Sequence, residues 1–179
     1  PDCIGDWSAT CRTVINYEAH VHPLWSKPRV VDADQDGIPE ADNTCITCHT
    51  RTDALGQLKV PDGQLELTDG ASPDEPDNFN AYRELLADDN EQVLDMGALV
   101  DRLVETGIDP DTGDPILEPV TVPSSMTTGG ANASGRFFDR FAPGGSHAGW
   151  LTPAELKLLS EWLDIGAQYY NNPFDAPEN

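Results

Sequence analysis

The sequence predicts a mainly α-helical fold with long loops and one small β-hairpin, and three stretches carry that prediction. The clearest is L-T-P-A-E-L-K-L-L-S-E-W-L-D-I-G-A-Q-Y-Y, residues 151–170. Thr152, Pro153 and Glu155 form a capping box, in which the hydroxyl and the carboxylate satisfy backbone N–H groups that a first helical turn leaves unpaired. Leu158, Leu159, Trp162, Leu163, Ile165, Gly166 and Tyr169 then make a wide apolar face, which Asn171, Asn172 and Pro173 end. On that face Gly166 would let another helix approach closely. The second stretch, Val14 to Trp25, repeats Ile15, Ala19, His22 and Trp25 at helical spacing, with Pro23 set to kink or end it. The third, Asn78 to Ala87, puts Phe79, Tyr82, Leu85 and Leu86 on one side of a helix.

Most of the rest reads as loop, consistent with fifteen Gly and fifteen Pro in 179 residues. Residues 26–44 form a polar connector, 45–51 start a short helix, and 56–77 are Gly-, Asp- and Pro-rich. Between Ala98 and Val122 two arms flank D-P-D-T-G-D-P. A hairpin is expected there, with Pro119 confining its strand to an edge and helix an alternative for the first arm. Residues 123–150 read as loop around Phe137, Phe138 and Phe141. No repeat or linker divides the chain. One domain, 14–174, follows a segment 1–13 and precedes a tail 175–179. The opening at Pro1-Asp2-Cys3 reads as that of a mature or excised domain.

Thirty-two acidic residues against ten basic ones give a net charge of −22. That balance argues against nucleic acid and anionic lipid, because phosphate binding needs Lys and Arg. A solvated acidic surface is the plainer explanation, and steering toward a basic redox partner the functional one. No apolar run approaches the length of a membrane span. The four cysteines fall into two pairs. Cys3 and Cys11, eight residues apart, are expected to form a disulfide, which places the chain outside the cytoplasm; two free thiols are the alternative.

The second pair belongs to C-I-T-C-H, residues 45–49. Zinc would need four ligands, and Cys3 and Cys11 are oddly spaced to complete the set. A thioredoxin-like redox pair would need a strand-then-helix setting that is missing before Cys45. Covalent haem attachment fits best. One helical turn separates Cys45 from Cys48, so both thiols reach the vinyl groups of one porphyrin, and His49 points its imidazole at the iron.

With its flanks, the motif resembles class I monohaem cytochrome c domains. I-N-Y-E-A-H-V-H-P-L-W before it, L-T-D-G after it, and the terminal L-T-P-A-E-L-K-L-L-S-E-W-L-D-I-G-A-Q-Y-Y-N-N-P-F are similar to a subgroup found in large secreted bacterial proteins, some joined to carbohydrate-binding modules. A related domain closes the large subunit of hydrazine synthase. The similarity spans most of residues 14–174, is weakest over 88–135, and is absent at Cys3 and Cys11. It implies a cytochrome c-like helical fold, with the first and last helices crossing at Gly166 and Trp162 packed near the haem. It also implies single-electron transfer in a secreted or periplasmic multidomain protein, with lytic polysaccharide monooxygenases, which are copper enzymes, as an acceptor class.

The sixth iron ligand has several candidates: Met96, Met126, His20, His22 and His147. In the family the distal ligand sits on the loop before the last helix. His147, in G-G-S-H-A-G-W and fifteen residues before Trp162, stands there. Met126 is the alternative and needs a longer loop to fold back. His20 and His22 are expected at the haem edge or in solvent. Two histidines should give a lower potential than a His/Met pair. The rival function is a haem enzyme, peroxidase-like or hydrazine-synthase-like, which needs an open or displaceable sixth site.

D-A-D-Q-D-G-I-P-E-A-D-N, residues 32–43, carries a second metal pattern. Asp32, Asp34, Asp36, Gly37 and the Ile38 carbonyl match the first half of an EF-hand loop, and the stretch resembles thrombospondin type 3 and dockerin repeats more closely. Asn43 stands where a bidentate Glu would close the loop, with Glu40 or Asp42 as substitutes. Calcium and a plain acidic turn are both open readings.

Overall fold

The capping box forms as expected. In the computed structural model, which describes residues 14–171, the Thr152 hydroxyl accepts from the Glu155 N–H at 3.3 Å and the Glu155 carboxylate accepts from the Thr152 N–H at 2.8 Å. The helix it starts, α5, runs Pro153–Asp164 and buries Leu159, Trp162 and Leu163 completely. It ends sooner than the apolar pattern suggests. Gly166 takes φ +97°, its N–H bonds to the Leu163 carbonyl at 3.0 Å, and the Ala167 N–H bonds to that of Trp162 at 2.9 Å. This pair of bonds is a Schellman closure, which the left-handed freedom of glycine permits. Gly166 therefore stops the helix; no helix crosses it, and a Cβ there would meet nothing within 4 Å. Gly166→Ala is expected to cost about 1 kcal/mol, the strain of a left-handed non-glycine residue, measured as a lower urea midpoint.

Pro23 divides the first helical stretch. A π-helical turn, Tyr17–Val21, is capped by the Asn16 side chain, and α1, Pro23–Ser26, begins with the proline at its first position. The wide turn shifts the buried face from the spacing expected: Ile15, Tyr17, Val21, Leu24 and Trp25 go inside, while Ala19 is exposed. Helix α2 is the single turn Cys45–Cys48, and α3 spans Asn80–Leu86. Tyr17 lies at the centre of the core, with ring centroids 5.1 Å from Tyr82 and 5.5 Å from both Trp162 and Tyr169. Tilted and edge-on aromatic pairs of this kind add about 1 kcal/mol each beyond area burial, and these tie the first turn, α3 and the C-terminal segment together.

The expected fold class is corrected by the segment between α3 and the last 50 residues. Helix makes up 27% and strand 20% of the structure, and the fold is not mainly α. The strands form four separate two-stranded antiparallel sheets. β1 (Val30–Val31) pairs with β2 (Ala41–Asp42) around the acidic loop, and β3 (Asp89–Asn90) pairs with β8 (Thr121–Val122). Between these last two lie two hairpins: β4 (Gln92–Asp95) with β5 (Ala98–Asp101), and β6 (Leu103–Ile108) with β7 (Pro115–Pro119). The second is the hairpin expected around D-P-D-T-G-D-P. The first replaces either reading of residues 98–101. Its turn places Met96 and Gly97 at φ 46° and 83°, the double left-handed geometry that matches strand twist. Side chains of β6 and β7 are exposed on both faces, Leu103, Ile108 and Leu117 by more than half (52, 56 and 52%).

Helix α4, Gly135–Phe138, and a 3-10 turn, Ala131–Ser134, occupy the stretch read as loop. Among the described residues no helix is long and apolar enough to cross a membrane. The expected pairing of Cys3 with Cys11, the end of the terminal pattern at Asn172-Pro173 and the tail 175–179 lie outside the described residues.

Candidate functional site

The C-I-T-C-H segment folds as one helical turn, closed by the His49 N–H on the Cys45 carbonyl at 3.0 Å. Both thiols are free, Cys45 buried and Cys48 partly exposed. Burial pushes the Cys45 thiol up against the opposing charge of Arg29, so it stays protonated at neutral pH. His49 Nδ1 bonds to the Leu65 carbonyl at 3.0 Å, which leaves Nε2 as the free nitrogen.

Across from His49 stands His147, although 98 residues separate them in the chain. The two rings lie 6.2 Å apart, centroid to centroid, and tilt by 30°. His147 Nδ1 contacts the Ser146 hydroxyl at 2.8 Å, and in the tautomer that donates from Nδ1 to that oxygen Nε2 keeps its lone pair. Its backbone N–H bonds to the Arg140 carbonyl at 2.8 Å, and its ring meets Trp150 edge-on at 4.4 Å. Gly145 makes this return possible: a Cβ there would strike the Arg140 and Asp139 carbonyls. Burial lowers both histidine pKa values, with the Arg140 charge acting in the same direction on each. Both imidazoles are therefore held toward the neutral, ligating form.

Trp25, Leu65, Leu67, Phe137 and Phe141 wall the cleft that Cys45, His49 and His147 share. These groups fit a haem. Two imidazole nitrogens, each about 2 Å from one metal, put their ring centres roughly 6 Å apart. A fixed Nδ1 partner on each ring is the usual device for orienting a metal-bound histidine. The walls are mostly apolar, with Ser125 and Arg140 the polar members, and Cys45 lines the cleft with His49, whereas Cys48, one turn further on, does not.

The other candidates are placed elsewhere. Met126 is buried in the core, its N–H on the Leu85 carbonyl, and does not line the cleft, although Ser125 does. Met96 is fully exposed at its hairpin tip. His20 is exposed and contacts Asn16, whereas His22 is buried 4.5 Å from the Phe79 ring. Trp162 lies in the aromatic core, bonded to the Gln168 carbonyl at 3.1 Å, and is not a wall of the cleft. Trp25 takes that part, and its indole N–H bonds to the Tyr17 hydroxyl at 3.2 Å, joining the cleft wall to the core.

Arg29 is the residue that sequence reasoning missed. Its buried guanidinium bonds to the carbonyls of Leu24 at 2.7 Å, Lys27 at 2.9 Å and Trp150 at 2.8 Å, and pairs with Glu155 at 3.3 Å. Its own N–H bonds to the Thr44 hydroxyl at 2.9 Å. One residue, through its side chain and its backbone N–H, thus fixes the end of α1, the approach to α2, the segment after His147 and the start of α5. Nothing in K-P-R-V-V marks it.

Part of the expected calcium set comes together. Asp32, Asp34 and Glu40 bring carboxylate oxygens within 4.8 Å of one another, and Asp32 Oδ1 is buried with no hydrogen-bond partner. Asp36 is not in the group; its carboxylate accepts from the Ile38 N–H at 2.7 Å. Asn43 is tied by its N–H to the Arg29 carbonyl at 2.9 Å. No family model matches the chain, and neither a curated protein nor a solved structure does.

Proposed function

We propose that this chain is a one-electron carrier holding one haem, attached through Cys45 and Cys48 and ligated by His49 and His147. The observation that carries the reading is the pair of imidazoles facing each other at 6.2 Å across an apolar cleft, with the C-x-x-C turn beside one of them. The haem would supply reversible one-electron chemistry at its iron. The chain's residues do the rest. Cys45 and Cys48 fix the plane, Leu65 and Ser146 aim the two histidines, and the aromatic walls exclude water. Secretion and a redox partner protein, with copper monooxygenases one class, belong to the same proposal. The oxidised protein is expected to show the electron paramagnetic resonance of low-spin iron between two imidazoles, and no near-infrared methionine-to-iron band. Seeing that band would shift the distal ligand to Met126.

Calcium at Asp32, Asp34 and Glu40 is a second part of the reading, supported by the convergence of three carboxylates. A chelator is expected to lower the melting temperature by a few degrees, and Asp32→Asn to abolish that response. An unchanged melting curve would remove calcium from the account.

A further inference from the structure

The chain has few cations, and nearly all are engaged. Among the described residues every lysine and arginine pairs with a carboxylate except Arg136 and Arg140. An exposed arginine without a partner is unremarkable by itself, because water solvates it well. These two are different in position. Four residues apart, on and just after α4, they project from neighbouring positions of the same turn and line one recess. Arg140 also lines the cleft between His49 and His147, and Gly63, Leu65 and Ser125 are walls common to both spaces. The recess is therefore a side arm of the cleft.

Its acidic wall does not neutralise the two guanidinium groups. Glu84 is held by Arg51 at 3.0 Å and by Asn80 at 2.7 Å, and Asp89 by Arg83 at 2.9 Å. In a chain with net charge −22, two unpaired cations facing one recess mark a place built for an anion. Guanidinium groups match carboxylates in shape, donating two parallel N–H bonds.

We propose that Arg136 and Arg140 bind the carboxylate edge of the group the cleft holds, so that the cleft selects a flat apolar plate bearing acids on the side away from the cysteines. This rests on the haem reading, in which those acids are the two propionates. The two arginines would supply one cation for each propionate, and the charge of Arg140 acts on both imidazoles.

The test is the midpoint potential of the holoprotein in R136Q, R140Q, the double variant, R140K and the distant control R102Q. Removing positive charge favours the oxidised iron. The potential is expected to fall in R140Q, to fall further in the double variant, and to stay near wild type in R140K and R102Q. The propionate-bending band in the resonance Raman spectrum is expected to shift in R140Q. A double variant with native potential and an unmoved band would overturn the proposal, as would R140K falling as far as R140Q. Protein that carries no covalent haem at all would overturn the haem reading, and this one with it; haem present with unmoved potentials overturns this one alone.

Discussion

With haem held as proposed, His147→Ala is expected to convert a closed iron into an open one. The low-spin spectrum should give way to a high-spin or water-ligated form, and carbon monoxide and cyanide should bind readily where the parent protein is indifferent to them. The reasoning is geometric: no other histidine or methionine among the described residues lines the cleft, so nothing replaces the lost imidazole. Ser146→Ala removes only the partner of Nδ1. Its effect should be smaller, about a tenfold weakening of distal ligation, the low end for loss of a hydrogen-bond partner of a metal-bound histidine. Stopped-flow ligand binding checks both. Rapid carbon monoxide binding to the parent protein would instead favour a haem enzyme.

Arg29→Met is the substitution expected to damage the fold most. It strands the Leu24, Lys27 and Trp150 carbonyls and takes one cation from a buried Glu155. Glu155 keeps Lys27 at 2.7 Å, so the loss comes mainly from the stranded carbonyls, about 1–3 kcal/mol for each left buried and unpaired, a large share of the total for a domain of this size. Urea unfolding at neutral pH measures it. The pH dependence adds a signature. Burial works to raise the Glu155 pKa, but bonds from Lys27 and Thr152 and the charge of Arg29 outweigh it and bring it to about 2. A carboxylate depressed in the folded state contributes stability above its ordinary pKa and loses it as pH falls toward the folded value. The parent protein should therefore lose stability from near pH 4.5 down to about pH 2, and Arg29→Met should show a shallower fall over that window.

The parts of this protein legible in its sequence are those where local chemistry decides. The capping box at Thr152, the break at Pro23, the helical turn of C-I-T-C-H and the D-P-D-T-G-D-P turn each depend on residues a few positions apart. The stretch carrying His147 is legible as a loop leading into the last helix, but its return to lie across from His49 is a contact over 98 positions. Gly166 was misread for a physical reason. Glycine on an apolar stripe and glycine ending a helix look alike in sequence, and only the backbone dihedral separates them. The fold class is not legible because V-L-D-M-G-A-L-V carries no Asn-Gly signal for its tight turn, so 98–122 reads as one hairpin where 89–122 folds as a set of paired strands. Arg29 depends on contacts between segments over 120 positions apart, and the exchange of Trp162 for Trp25 as cleft wall on packing between distant segments, which no local pattern records.

The β6–β7 ribbon also sets how copies of this molecule behave toward one another. Among the described residues each of its strands pairs on one side only, so two rows of backbone donors and acceptors remain open there as templates for an incoming strand. Leu103, Ile108 and Leu117 would add adhesion to such a contact. Glu105, Asp111, Asp114 and Glu118, exposed on the same ribbon, act as gatekeepers by setting like charge against like whenever two ribbons approach. That protection is electrostatic, so it weakens in strong salt and in acid. Aggregation of an otherwise folded protein should begin at this ribbon, under conditions that leave the aromatic core untouched.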